Sequence, residues 1–247
     1  MRQGKFAIAS AAVLFSLLSL PHDGRPQSQP IRPVTLGQGM PDFTLPVYQG
    51  GELRLSSLRG KTLLIVFPRG LAGQDHWCHV CNYQHSELVD AEMNQQIRKK
   101  NNLEIIYVFP YNREMITQWI DAYRAQLADI ENYKNPPKEQ LGDEKIRQRM
   151  ERTKKEMPRS FHVSKGKVPT PFPILIDADR VVSKGLGIFA EEWSGSKVDQ
   201  DIPTVFVVDP AGIVRFKYIS QNTFDRPGLS YLLKMIEWAN TAKPAIP

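Results

Sequence analysis

The stretch LLIVF-PRGLAGQDHW-CHVC, residues 63–81, decides how this chain is read. Leu63 to Phe67 is a short apolar run of the kind that forms a central strand covered on both faces. Pro68 to Trp77 reads as a loop, and a helix is expected from about Cys78 to Lys100, stopped by Asn101 and Asn102. Val89, Met93 and Ile97 repeat every four residues, with Leu88 beside them, and this spacing predicts the helix face that packs on the sheet. The Cys78-His79-Val80-Cys81 motif therefore falls where a buried strand feeds a helix.

That position carries chemistry. Both sulfurs lie on one side of the first helical turn, where unpaired amide N–H groups and the helix dipole favour a thiolate. Cysteines in this setting have lowered pKa values. A thiolate attacks a disulfide and a second thiol resolves the mixed disulfide, so Cys78 is the expected nucleophile and Cys81 the resolving thiol. The chain has only these two cysteines. A bridge across so short a loop restricts the unfolded chain little, so redox chemistry explains the pair better than stapling does. The other reading is half of a zinc site. Zinc takes about four ligands, and a second Cys-x-x-Cys or a paired histidine motif is absent, although His76, His79 and His85 crowd the same stretch. No metal and no cofactor is therefore assigned.

Two neighbours have double readings. Trp77 is read as a ring covering the sulfur and forming a docking surface, or as plain packing, and the two readings are compatible. His79, if protonated, would stabilise the Cys78 thiolate and make the disulfide more oxidising; otherwise it is an exposed helix residue.

Outward from the motif, Phe43–Tyr48 and Glu52–Leu55 flank a turn at Gln49-Gly50-Gly51, which predicts a β-hairpin. After the first helix come a buried strand, Leu103–Phe109, and a helix, Met115–Leu127. Residues from about 129 to 170 read as an insertion, broken by Pro136-Pro137, with Lys138–Lys155 as a charged, solvated helix. Docking of a partner is the other reading of that helix. Core pattern returns with the strand Pro173–Ile176, a short helix Arg180–Leu186, and the strands Thr204–Val208 and Ile213–Ile219 joined by a turn at Asp209–Gly212. A last helix is expected from near Asp225, with Pro227 in its first turn. Buried strands alternating with helices predict a three-layer α/β sandwich with an N-terminal hairpin and a charged helical insertion.

The 247-residue chain carries a net charge of +6. That balance permits anionic partners, but no aromatic-studded basic patch or zinc-finger spacing accompanies it, so nucleic acid is not an expected partner. Arg2 and Lys5 precede an uncharged run from Phe6 to Leu20, closed by Pro21, in the order of a secretory signal. The run falls short of the roughly 20 apolar residues that comfortably span a bilayer. No clean small-x-small cleavage site follows, so residues 1–21 are read as a signal peptide or a membrane anchor. Residues 22–39 read as a flexible spacer rich in Pro, Gln, Ser and Gly, and residues 40–247 as the folded domain. The expected location is outside the cytoplasm, periplasmic or extracellular, with any membrane attachment through the N-terminal segment.

Ile202-Pro203-Thr204 stands just before a core strand. Proline there is a candidate cis bond that exposes backbone to an extended substrate, or an ordinary trans loop proline.

Taken together, several stretches resemble the thioredoxin-like superfamily in its exported redoxin branch, the AhpC/TSA and TlpA-like proteins. They are Pro41-Asp42-Phe43-Thr44-Leu45, Leu55–Lys61, Trp77-Cys78-x-x-Cys81, Phe172–Asp177 and Ile202–Asp209. The resemblance implies a thioredoxin fold, Cys78 as nucleophile, Cys81 as resolver and Pro203 as a cis-proline facing them, supported by Ile202 and Thr204. It also shows departures. Peroxiredoxins place a threonine three residues before the reactive cysteine, where this chain has Asp75, and the stretch from Pro68 to Cys78 is longer than theirs. They carry an arginine just before the strand that Val205 opens, where this chain has Pro203. Both substitutions argue against a specialised peroxidase; Arg69, close to the site in sequence, is the candidate substitute that keeps that reading as the runner-up.

The leading expectation is thus an extracytoplasmic thiol-disulfide oxidoreductase. Its partners would be protein or small-molecule thiols and disulfides and an unidentified redox partner. The alternative is a peroxiredoxin-like peroxidase using Cys78. A copper carrier of thioredoxin fold ranks third, because the cysteine spacing is one residue shorter than in such carriers and no histidine follows His162.

Overall fold

A computed structural model describes residues 30–163 and 170–241. The signal or anchor segment 1–21, most of the spacer, residues 164–169 of the insertion and residues 242–247 lie outside the described residues.

Strands β1 (Thr44–Pro46) and β2 (Glu52–Arg54) form the N-terminal hairpin. Strand β3 (Thr62–Phe67) is buried along its whole length, as its apolar run requires. A short hairpin follows, β4 (Leu71–Gly73) and β5 (His76–Trp77), and leads into α1 (His79–Gln95) and α2 (Ile97–Lys100). Then come β6 (Leu103–Phe109), α3 (Arg113–Lys134), α4 (Glu144–Glu156), β7 (Ile174–Ile176) and α5 (Val181–Gly185). A second short hairpin, β8 (Phe189–Ala190) and β9 (Gln200–Asp201), precedes β10 (Thr204–Val208), β11 (Val214–Ile219) and α6 (Leu229–Thr241).

The central sheet runs β11-β10-β3-β6-β7. Strands β3, β6 and β7 are parallel, and β10 is antiparallel to both β3 and β11. Side chains of β3 alternate between two cores, as a period of two demands. Leu64 and Val66 join the core that contains the cysteines and residues of α1, α3 and α6. Leu63, Ile65 and Phe67 join the opposite core, with Val34, Met40, Phe43, Val182 and Leu186. The three-layer sandwich and the order of its elements agree with the sequence reading.

Five local expectations are corrected. The stretch 68–77 is not a plain loop; the β4–β5 hairpin occupies it, with Asp75 in its turn at φ 55°. The first helix ends at Gln95, because Gln96 adopts a left-handed conformation (φ 52°) that restarts the chain as α2. Ile97 is buried after this restart, while Met93, still within α1, is 68% exposed, so the expected stripe does not run through it. The folded part begins before Met40: Val34 is buried, and Gly37 N–H donates to the Val214 carbonyl at 2.9 Å. Finally, α3 runs through the expected insertion boundary to Lys134, and α6 starts at Leu229 rather than near Asp225.

Candidate active site

Cys78 caps α1. Its backbone is extended (φ −71°, ψ 107°), and its sulfur accepts the Cys81 N–H at 3.4 Å, which uses one of the helix's unpaired donors. Its own N–H donates to the Gly70 carbonyl at 2.9 Å, tying it to the loop after β3. Both cysteines are free thiols, and both are buried, at 2% and 3% exposure.

Positive partners gather at the second sulfur. Cys81 Sγ accepts the backbone N–H of Arg69 at 3.3 Å and lies 3.8 Å from Nη2 of Arg226. Burial pushes the Cys81 thiol up, but the Cys78 S–H, the Arg226 charge and the Arg69 N–H together hold it down at about 6. The Cys78 thiol is pushed well up, because it donates to the Cys81 sulfur and because it is buried. The geometry thus favours negative charge on Cys81, whereas the helix-start argument assigned it to Cys78. The dipole and the Arg226 charge act on both sulfurs, while the guanidinium comes within hydrogen-bond distance of Cys81.

Arg69 is itself buried. Its Nε donates to Gln200 at 2.7 Å, Nη1 to Thr223 at 3.3 Å and Nη2 to the Trp193 carbonyl at 3.1 Å, with its plane over the Trp193 ring. Arg226 is held by Ser220 Oγ at 2.9 Å and by the Asp225 carbonyl. Arg226, Gln200 and Thr223 were not singled out by sequence reasoning. Arg226 lies 145 positions from Cys81, and no spacing rule links an Asp-Arg-Pro loop to a cysteine pair.

The remaining expected residues fall as follows. Trp77 is buried, edge-on to Tyr111 at 5.8 Å, so it packs rather than presenting a docking surface. His79 turns away from the sulfurs: Nε2 lies 3.4 Å from Asp129, and its ring contacts His76 and Tyr133. Burial lowers its pKa, which disfavours the protonated form that a thiolate partner would need. His85 occupies an aromatic pocket, with Nδ1 2.9 Å from the Tyr123 hydroxyl. Thr204 lies opposite Phe67 across the β10–β3 ladder, which brings Ile202-Pro203-Thr204 to the same sheet end as Arg69. The Ile202–Pro203 bond is not the expected cis bond; no cis bond occurs among the described residues. The neighbouring backbone is already engaged, Ile202 N–H with the Ile188 carbonyl at 2.7 Å and the Pro203 carbonyl with Ser220 N–H at 2.9 Å. Thr204 Oγ1 donates to the Ile202 carbonyl at 2.8 Å.

A thioredoxin-like sandwich with a buried dithiol at the head of its first long helix defines a thiol-based redox protein. The sequence pattern of the AhpC/TSA family matches residues 36–217, and the chain belongs to that family. Among solved structures, a cysteine-to-serine mutant of peroxiredoxin 6 from Arenicola marina is similar at 16% identity and a TM-score of 0.53, covering 83% of this chain and 72% of that one. The reduced 2-Cys peroxiredoxin of Plasmodium vivax aligns at 15% identity and a TM-score of 0.49, over 83% of this chain and 81% of that one. No curated protein sequence matches the chain.

Proposed function

We propose that this protein reduces small hydroperoxides through a Cys78–Cys81 dithiol-disulfide cycle. The observation that carries the reading is a pair of nearly inaccessible sulfurs, one of them facing Arg226 and the Arg69 N–H. A thiolate at Cys81 attacks the distal peroxide oxygen. The O–O bond breaks, the sulfur becomes a sulfenic acid, and the departing alkoxide takes a proton to leave as an alcohol. The Cys78 thiol then condenses with the sulfenic acid, releasing water and forming the Cys78–Cys81 disulfide. A dithiol donor restores both thiols by exchange. Arg226 supplies positive charge where negative charge collects, an electrostatic role.

A second reading, dithiol-disulfide exchange with another protein, is favoured by the Cys-x-x-Cys pair sharing one helical turn. The backbone that an extended substrate would pair with is engaged at Ile202 and Pro203, which supports the small oxidant. The signal-like order of residues 1–21 supports placing the protein outside the cytoplasm.

The test runs both reactions at equal enzyme concentration, with dithiothreitol as donor. Peroxide consumption should far exceed insulin reduction and be lost in Cys81→Ser. Rapid insulin reduction beside peroxide loss no faster than that of free dithiothreitol would reverse the order of the two readings.

A further inference from the structure

The charged segment that follows Leu127 touches both the head of α1 and the β11–α6 loop. On one side His79, next to Cys78, meets Asp129 at 3.4 Å and the Tyr133 ring at 5.3 Å, both on α3. Arg149 of α4 covers the same Tyr133 ring at 4.8 Å. On the other side Arg152 of α4 sits over the Phe224 ring at 5.2 Å, in the loop whose Arg226 reaches Cys81. One helix pair therefore touches both the residue beside Cys78 and the loop whose arginine reaches Cys81. The charge-rich helix is not simply solvated, because its arginines lie over aromatic rings.

We propose that α4 and the C-terminal half of α3 form a size-selecting cap over the dithiol, which admits small hydroperoxides and excludes protein disulfides. This deepens the function proposed above and names the residues that set its substrate range. Each clasp is a histidine–carboxylate hydrogen bond or a cation–ring contact, and such contacts hold position at modest energy. A cap held by such contacts is weak enough to be released by substitution.

The experiment labels the reduced protein with iodoacetamide and, separately, with a polyethylene-glycol maleimide, and follows each cysteine by mass spectrometry. Wild-type protein should react with the small reagent and hardly with the large one. In the Asp129→Ala/Arg152→Ala double variant, labelling by the large reagent should rise about tenfold or more while the small reagent changes by less than about twofold, as release of a local cover predicts. Should that variant fail to fold, Arg152→Gln, which removes only the Phe224 contact, is read in the same way. Wild-type protein labelled equally fast by both reagents overturns the cap. So does a folded variant in which both rates rise together, or in which neither changes. Alkylation needs no peroxide, so the cap can fail while peroxide turnover stands, and turnover can fail while the size ratio stands.

Discussion

At the scale of single residues, the two cysteines share a helical turn but not an environment. Cys81 has the guanidinium of Arg226 and the Arg69 amide, while the Cys78 sulfur accepts the Cys81 N–H and its backbone N–H donates to the Gly70 carbonyl. The sign of the pH dependence follows. A thiol held near 6 is a thiolate above that pH and loses its charge as pH falls through it. Alkylation of Cys81 by iodoacetamide should therefore rise with pH around a midpoint near 6. Arg226→Gln should move that midpoint up by about one pH unit, since it removes an adjacent opposite charge. Mass-resolved labelling across pH checks both statements; a midpoint unmoved by Arg226→Gln would remove the arginine from the account. The cysteine pair was legible because local spacing and a strand-to-helix junction define it. Its charged partner was not, because only the folded chain brings the β11–α6 loop to Cys81.

At the scale of elements, the loop after β3 depends on one glycine and one tyrosine. Gly70 has φ 74°, and a Cβ there would run into the Tyr111 ring. The Tyr111 oxygen accepts the Leu71 N–H at 2.9 Å, and its hydroxyl donates to the Asp199 carbonyl at 2.9 Å. Gly70 also supplies the carbonyl that fixes Cys78. Gly70→Ala should cost about 2 kcal/mol or more, from left-handed strain together with displacement of a buried ring. It should also speed labelling of Cys78, because the cap of α1 loses its anchor. Urea unfolding and labelling read the two effects separately, and an unchanged unfolding midpoint would contradict the prediction. The long central strands were legible from their unbroken apolar runs. The two short hairpins were not, since β4–β5 and β8–β9 offer two or three residues a strand and no alternating pattern. The single long helix from Cys78 to Lys100 failed for a backbone reason, the left-handed Gln96, which side-chain periodicity does not reveal.

At the scale of the whole molecule, the core beside the cysteines hides a titratable group. His85 is ringed by Tyr107, Trp119, Tyr123 and Phe172, and burial holds its pKa at about 3 instead of 6.5. The folded protein refuses a proton that the unfolded chain accepts, so stability from this residue is lost as pH falls below 6.5 and stops falling near 3. The slope contributed is roughly 1 kcal/mol per pH unit within that window. Urea unfolding at a series of pH values should show it, and His85→Leu should flatten the acid limb; parallel limbs in both proteins would contradict the assignment. The α/β order was readable from one end of the domain to the other. The polar interior of α1 was not, because a helix whose buried face includes Asn82, His85 and Ser86 breaks the rule by which cores are recognised. Val34 and Met40 pack on the sheet face opposite the sulfurs, together with α5. The chain therefore enters the domain from behind. The described chain thus begins on the face that does not carry the sulfurs. Protein immobilised on a bead or electrode by its N-terminus should keep its reactive side turned to the solution.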